Sequence, residues 1–592
     1  MCTGASKELS DAVILSQARQ WLHDDPDSVT REFVENLITR GDLGGLRAAF
    51  QNPLRFGTAG IRGPVGAGPA RINLVLIHRL AAALGRYLLQ RAAPGQHPLV
   101  IIGYDARPES QRFAQAFSLV LAGLQLRTFL TSEHSPTPCI SFAVRYMKAS
   151  AGVVVTASHN PRGDNGIKIF DNLGAQIVSP WDEMISKLMQ SNAATSEHQG
   201  PPERVEALPH EVSYAYFQAI LRNAESLVPD RCKKLMFTSP PMRFAYSALH
   251  GVAYSAIQRV VKEGELSVRL LPVESQVEPD GLFPSLRFPN PEEKGALDLL
   301  LQKANQHQAR IALANDPDGD RFALCLPLSG PGEALSRLSG DDLGLIFAHE
   351  VLTSRGQSPS SIFSTIVSSP SVEILAQGRG ARFVRTLTGF KWLCHAAAKS
   401  PDFAFAYEEA LGYCFAGEEE TTVFDKDGIA ATAIALRMAL KYGGGEGLTL
   451  QLHALRKEVG HWGSYSSSRS FDGSNSQGEI AAYMSLLRAT PPRKFGELIV
   501  QSHTDYANGS SERPWYLGEQ DLLQFDLLCP REDSPIARGR VLVRPSGTEA
   551  KLKVYVHLMS SAQKDPYSTS TSEVQELMAQ EIQEKILQKS TF

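Results

Sequence analysis

Five segments of this chain combine residue types and spacings that could do chemistry. The first is Val153-Val-Val-Thr-Ala-Ser-His-Asn160-Pro161. Its β-branched run predicts a strand that delivers Thr156 and then Ser158-His159 to the loop at its end, where ligands usually bind in α/β sheets. A serine hydroxyl is a weak nucleophile until a base or a neighbouring cation assists it. His159 is adjacent. Lys168 lies in an alternating run, Ile167-Lys-Ile-Phe170, after an Asp164-Asn-Gly166 turn signal, and could return to Ser158 across a hairpin.

The second segment is Ile311-Ala-Leu-Ala-Asn-Asp316-Pro-Asp318-Gly-Asp320-Arg321-Phe322. Three carboxylates at i, i+2 and i+4 can face one way on an extended stretch. They repel one another unless a cation joins them, and Mg²⁺ suits such hard oxygens. An EF-hand is excluded, because Arg321 would stand at the position that needs Gly and Pro327 at the position that needs Glu. The third segment, Val541-Leu-Val-Arg544-Pro-Ser546-Gly547-Thr548-Glu549, offers a guanidinium fork, two hydroxyls and accessible backbone N–H groups, all donors suited to a phosphate. In the fourth, Glu408 and Glu409 could accept hydrogen bonds from sugar hydroxyls. Taken alone they read as a solvated helix start. Upstream, Thr388-Gly389-Phe390-Lys391 places a cation after a glycine turn. The fifth, Arg55-Phe-Gly57-Thr58-Ala-Gly60-Ile-Arg62-Gly63, has glycines that let the backbone fold close against a ligand. Arg55, Arg62, Lys168 and Arg321 could build a local cationic site.

The elements that must position these loops alternate. Asp11 to Leu22 and Val29 to Phe50 read as helices broken at Gly41 and Gly44, and Ile72 to Arg91 as another. Leu99 to Tyr104 suits a buried strand ending at Asp105. A helix at Arg112 to Leu124 and a strand at Arg127 to Thr131 follow. Strand and helix alternation predicts an α/β protein with a largely parallel sheet. Asn192 to Pro202 is a polar boundary, a strand runs from Arg310 to Asn315, and Leu328 to Gly340 is rich in Ser, Gly and Pro. Gly443 to Gly447 interrupts the pattern, Ser464 to Ser476 is the next polar stretch, and a helix is predicted over Val574 to Lys589.

At roughly 150 residues per domain, 592 residues suggest about four domains. The net charge of −4 argues against a protein that coats nucleic acid or acidic lipid. Seven cysteines, no two closer than 20 positions, exclude a C-x-x-C motif. Free thiols, no basic n-region ahead of an apolar run, and no apolar run near ~18 residues predict a cytoplasmic chain with no membrane span. The residues set no oligomeric state.

In their order along the chain, the five segments resemble the α-D-phosphohexomutase superfamily, which includes phosphoglucomutases and phosphomannomutases, over Arg55 to Lys553. Thr156 to Pro161 is similar to the family's phosphoserine loop and Asp316 to Arg321 to its metal loop. Glu408-Glu409 is similar to its sugar loop and Arg544 to Thr548 to its phosphate loop. The resemblance implies four domains around a central cleft, three mixed-sheet α/β units and a smaller C-terminal α+β unit. Our boundaries for them are 1–200, 201–330, 331–455 and 456–592. It implies that Ser158 carries a phosphoryl group, with Mg²⁺ held by Asp316, Asp318, Asp320 and an oxygen on Ser158. The group passes to a sugar monophosphate, and the sugar 1,6-bisphosphate turns end for end before Ser158 takes back the other phosphate. His159, Lys168 and Arg62 are the candidates for proton transfer and charge stabilisation. Arg55, Thr58, Arg321, Thr388, Gly389, Lys391, Glu408, Glu409, Arg544, Ser546, Gly547 and Thr548 are the substrate-binding candidates. Hexose 1- and 6-phosphates are the expected substrates, with no nucleic-acid or membrane partner.

There are two departures, of which the first bears on the substrate and the second is expected to matter little. Many relatives have a serine where this chain has Ala410. This variant, with Thr388-Gly-Phe-Lys-Trp392 and Asp425-Lys-Asp-Gly428, resembles the branch that holds phosphopentomutases and glucose-1,6-bisphosphate synthases, and both activities stand as alternatives. Ala550 replaces a proline common after Ser-Gly-Thr-Glu. A binding protein without catalysis is disfavoured by the retained Ser158, aspartates and Arg544.

Overall fold

The computed structural model describes residues 9–57, 60–190, 200–229, 240–328, 330, 332–418, 421–471, 476–507, 520–546, 550–561 and 569–587. The chain divides into two compact units. One comprises Ser6–Leu324 with Gly412–Leu440, the other Cys325–Leu411 with Lys441–Phe592.

The first unit opens with helices Asp11–Asp24, Ser28–Thr39 and Leu43–Phe50, which close a small core of Ile14, Ala18, Trp21, Val34, Leu46 and Phe50. The predicted break falls at Gly41, whose φ of +65° glycine adopts without strain. Gly44 lies inside the third helix, and Asp42 caps that helix by accepting from Gly45 N–H. Six strands follow: β1 (Ile61–Pro64), β2 (Leu99–Tyr104), β3 (Arg127–Leu130), β4 (Ala151–Val155), β5 (Asp164–Phe170) and β6 (Val205–Ala207). They form one mixed sheet in the order β1-β5-β4-β2-β3-β6, with β5 antiparallel to both β1 and β4. Every residue of β4 is buried, as a central strand covered on both faces requires. Asp164-Asn-Gly166 is not the turn its composition suggests. It begins β5 and pairs with Arg62 to Pro64, and the connection from β4 is the Ser158 loop itself. Helices Leu74–Arg91 and Ser110–Gly123 pack against this sheet with Leu80, Leu84, Phe113 and Phe117.

A second sheet contains β7 (Met242–Ser247), β8 (Val268–Pro272), β9 (Ala312–Asn315) and β10 (Phe322–Leu326), in the order β10-β9-β7-β8. Strand β7 is parallel to β8 and β9. Asp105, Ser158 and Asp316 thus each follow the carboxyl end of a strand (β2, β4 and β9).

The other unit begins within β10, which pairs with β11 (Ser336–Arg337). Helix Gly340–Arg355 is capped by Ser339. Strands β12 (Ser361–Thr365), β13 (Arg382–Thr386) and β14 (Phe403–Glu408) run parallel in the order β13-β12-β14. The next strand, β15 (Gly412–Phe415), belongs to the first unit with most of helix Gly428–Tyr442. The C-terminal sheet is antiparallel, in the order β16-β21-β20-β19-β18-β17. Its strands are β16 (Trp462–Ser470), β17 (Lys494–Phe495), β18 (Leu498–Asp505), β19 (Leu523–Leu528), β20 (Ile536–Pro545) and β21 (Lys551–Ser560). Much of the polar stretch at Ser464 to Ser476 is therefore strand, an edge strand rich in serine. Helices Ser476–Ala489 and Thr569–Leu587 cover the sheet with Ile480, Met484, Leu487, Ala579, Ile582 and Ile586. Among the described residues, no helix is long and apolar enough to cross a membrane.

Candidate active site

In the first unit, Ser158 sits at a φ of +51°, an uncommon conformation for a residue with a side chain. Its Oγ donates to Asp316 Oδ2 at 2.8 Å and lies 3.1 Å from His159 Nδ1. Its N–H donates to Thr156 Oγ1 at 2.7 Å, and that hydroxyl donates to Asp105 Oδ2 at 2.6 Å. The two loops that the sequence singled out first therefore meet.

Asp316, Asp318 and Asp320 do not lie on an extended stretch. A turn closed by Gly319 N–H on Asp316 O (2.9 Å), with Gly319 at φ +70°, folds them together. Each offers an oxygen within 4.8 Å of the others, and all three are fully buried. Lys168 Nζ lies 2.6 Å from Asp318 Oδ2 and 2.6 Å from Asp320 Oδ2, and Lys426 Nζ is 3.4 Å from Asp320 Oδ2. The Oδ1 atoms of Asp318 and Asp320 are buried with no hydrogen-bond partner. Two orphaned carboxylate oxygens on a hard-oxygen triad fit a small divalent cation.

Burial and the neighbouring Asp320 and Asp318 push Asp316 well above the usual carboxylate range. Burial also acts on Asp318. There the Lys168 ammonium, a 2.7 Å hydrogen bond from Thr137 Oγ1 and nearby Arg62 prevail and hold it low. For Lys168, burial is outweighed by Asp318 and Asp320, which keep the ammonium charged. His159 is held well below the usual imidazole range by burial, Arg321 and Arg62, which favours the neutral ring. Arg62 Nη1 reaches Ala157 O and Asn160 Oδ1, both at 3.3 Å. Arg321 pairs with Glu292 at 3.0 Å. Arg55 is exposed and lines a cavity of about 930 Å³ beside Trp21 and Lys187, whose lining includes none of Ser158, His159, Asp316, Asp318 or Asp320.

In the other unit, Glu408 ends β14 and is buried, so the pair begins no helix. Glu409 Oε2 accepts from Thr365 Oγ1 at 2.8 Å and Ser368 Oγ at 3.3 Å. Arg544, at the end of β20, donates to Tyr555 OH at 3.0 Å, and its Nε is buried without a hydrogen bond. Burial, against the pull of Arg544, pushes the Tyr555 phenol up to about 12, and Glu408 and Glu409 are close enough to add to it. Thr388 Oγ1 is buried and unbonded, Gly389 at φ +118° precedes helix Phe390–Ala397, and the Lys391 ammonium lies 5.8 Å from the Trp392 ring. Ser546 N–H donates to Lys551 O. Thr58, Gly547 and Thr548 lie outside the described residues.

The motifs do not mark Asp105, Arg107, Thr137 or Tyr555, and Lys426 falls inside Asp425-Lys-Asp-Gly428, which points only to the branch it resembles. Asp105 and Arg107 had one available signal, a charged pair directly after an apolar strand.

Against known proteins, residues 53–196, 215–328, 339–457 and 537–567 match domains I, II, III and the C-terminal domain of phosphoglucomutase/phosphomannomutase. A phosphopentomutase from Pongo abelii is 32% identical over 581 residues, covering 93% of this chain and 92% of its own. A protein named probable phosphomannomutase from Haemophilus influenzae is 34% identical over 504 residues, covering 83% and 94%. The crystal structure of pp63/parafusin, a phosphoglucomutase from Paramecium, shares the fold with a TM-score of 0.66 at 15% identity, over 90% of this chain and 96% of that one. The chain belongs to the phosphoglucomutase/phosphomannomutase family. It is a sugar-phosphate mutase, an isomerase of carbohydrate metabolism.

Proposed function

We propose that the chain interconverts hexose 1-phosphate and hexose 6-phosphate, with glucose or mannose as the sugar, through a phosphorylated Ser158. The observation that carries this is Ser158 Oγ within 3.1 Å of both a neutral imidazole and the Asp316 carboxylate, in a pocket of arginine and lysine charge. The P–O bond to Ser158 breaks as a bond forms to the sugar hydroxyl oxygen. His159 takes the hydroxyl proton and returns it to Ser158 Oγ when the group leaves. Lys168 is protonated, so it acts through charge, together with Arg62 and Arg321. Mg²⁺, held by Asp316, Asp318 and Asp320, would neutralise charge on the transferring phosphoryl group. Glu408 and Glu409 accept from ring hydroxyls, and Arg544 with Ser546, Gly547 and Thr548 binds the phosphate that is not reacting. Thr58, Thr388, Gly389 and Lys391 complete the substrate contacts. The sugar 1,6-bisphosphate is both intermediate and activator. The four stretches 1–200, 201–330, 331–455 and 456–592 each contribute one of these loops. Among the described residues no disulfide joins the five cysteines, which suits a reducing, cytoplasmic setting.

A pentose reading, ribose 1-phosphate to 5-phosphate, is favoured by Ala410 and by the phosphopentomutase relative. The test compares kcat/KM for glucose, mannose and ribose 1-phosphates with Mg²⁺ and a trace of glucose 1,6-bisphosphate. A hexose at the top supports the proposal, and ribose at the top replaces it with the pentose reading. Bisphosphate accumulating without net isomerisation makes the chain a synthase. Ser158→Ala is expected to abolish turnover and phosphate incorporation, and parental turnover in that variant sinks the phosphoserine mechanism.

A further inference from the structure

We infer that Arg107 is a positioning residue for Ser158: its guanidinium fixes the backbone of the Ser158 loop and so sets the direction of Ser158 Oγ. The inference rests on the phosphoserine reading above and deepens it.

Arg107 follows the carboxyl end of β2, the strand next to β4, and is buried. Its Nη2 donates to Ser158 O and Asn160 O, each at 2.7 Å. Its Nη1 donates to Pro161 O and Asp164 O, each at 2.8 Å. One side chain thus gathers four carbonyls from seven consecutive residues. The remaining edge of the guanidinium is ion-paired, with Nε 3.3 Å from Asp105 Oδ2. Asp105 also accepts from Thr156 Oγ1, which accepts the Ser158 N–H. Both backbone groups of Ser158 are therefore tied into one closed circuit, its C=O through Arg107 and its N–H through Thr156 and Asp105.

That circuit accounts for the positive φ of Ser158. A non-glycine residue stays in that region only where its surroundings over-determine it. The guanidinium is itself held from behind. The Phe283 ring centroid lies 5.0 Å from its carbon, and Gly281 packs so close that a Cβ there would come 2.3 Å from Arg107 Cα. A lysine could not substitute, because an ammonium is a point of charge without the rigid fork that spans four acceptors. Arg62 holds only Ala157 O on this loop's backbone, at 3.3 Å. A shift of about 1 Å in a reacting group can cost about 10²-fold in rate.

The test uses full-length protein with Mg²⁺, glucose 1-phosphate and trace glucose 1,6-bisphosphate. Arg107→Lys should fold with parental circular dichroism, lose about 10²-fold in kcat and keep KM within about threefold. Phosphorylation of Ser158 by glucose 1,6-bisphosphate, followed by intact mass, should slow by the same factor. Parental kcat in folded Arg107→Lys overturns the assignment. So does a change confined to KM, which would make Arg107 a substrate ligand. Should Arg107→Lys fail to fold, Phe283→Leu carries the test, since it removes only the ring that stops the guanidinium turning. It should lower kcat several-fold at unchanged KM, and parental kcat there again overturns the assignment. A parent enzyme that never carries phosphate on Ser158 overturns the phosphoserine reading itself, a result distinct from a phosphorylated parent beside a fully active Arg107→Lys.

Discussion

Removing the Lys168 ammonium tests the electrostatics of the aspartate triad. Lys168 is fully buried, and so are Asp318 and Asp320, each 2.6 Å from its Nζ. Deleting one partner of a buried ion pair costs about 3–5 kcal/mol, because the remaining charge loses its solvation and its counter-charge together. Lys168→Met keeps the length of the side chain and removes the charge. At about 1.4 °C per kcal/mol for a cooperative unit as large as Ser6–Leu324 with Gly412–Leu440, the variant should melt about 4–7 °C below the parent in EDTA. Adding Mg²⁺ should raise the variant's melting temperature more than the parent's, since a dication supplies the missing charge to the orphaned Oδ1 atoms. The pH dependence has a definite sign. Lys168 is raised above its unfolded value of 10.5, so its contribution is fully present below pH 10 and is lost only as pH rises through the folded value. Asp318 is depressed below 3.8, so its share fades only as pH falls beneath that value. The parent's own share from this pair should therefore be constant from pH 6 to pH 9. Differential scanning fluorimetry in EDTA and in Mg²⁺ measures it. A variant melting within about 2 °C of the parent in EDTA would refute the buried ion pair.

Asp341 accepts from Ser369 N–H at 2.8 Å and from Tyr407 OH at 3.2 Å, and burial pushes its carboxyl up to about 7 from 3.8. The folded chain keeps this proton where the unfolded chain has lost it, so stability should fall by up to about 4 kcal/mol as pH rises from 4 to 7, and level off above. Asp341→Asn should remove that slope, and parallel urea midpoints for parent and variant at pH 4.5, 6 and 8 would contradict it. A Cβ on Gly340 would lie 2.0 Å from Glu409 O, so Gly340→Ala must displace the backbone beside Glu408. We expect KM for the sugar phosphate to rise while phosphate incorporation at Ser158 is unchanged, and steady-state kinetics beside intact mass would show otherwise.

Much of the fold was legible because its patterns are local. The apolar run of β2 and the β-branched run of β4 announce buried strands, and Gly41 announces the break between two helices. Two local readings failed for tertiary reasons. Asp164-Asn-Gly166 has turn chemistry, yet β1 recruits it as a strand partner, and pairing outweighs intrinsic turn preference. The serine-rich stretch after Trp462 lacks apolar alternation because β16 is an edge strand, stabilised by a nine-residue ladder with β21 more than by buried side chains.

By itself the sequence determined which groups are the candidates for the chemistry. Ser158, the aspartate triad, Lys168 and Arg544 are legible as candidates since phosphoryl transfer needs a nucleophile, hard oxygens and donors at loop tips, and few residue types supply them. Only the tertiary structure decided how those groups are charged and held. Asp316 and Asp318 are identical in type and two positions apart, yet one is pushed up and the other held low, because Lys168 and Thr137 reach only one of them. What Arg107 holds was invisible for a simpler reason. Its partners are backbone carbonyls 51 to 57 positions away, and every residue carries a carbonyl, so no residue type marks the place where four of them converge.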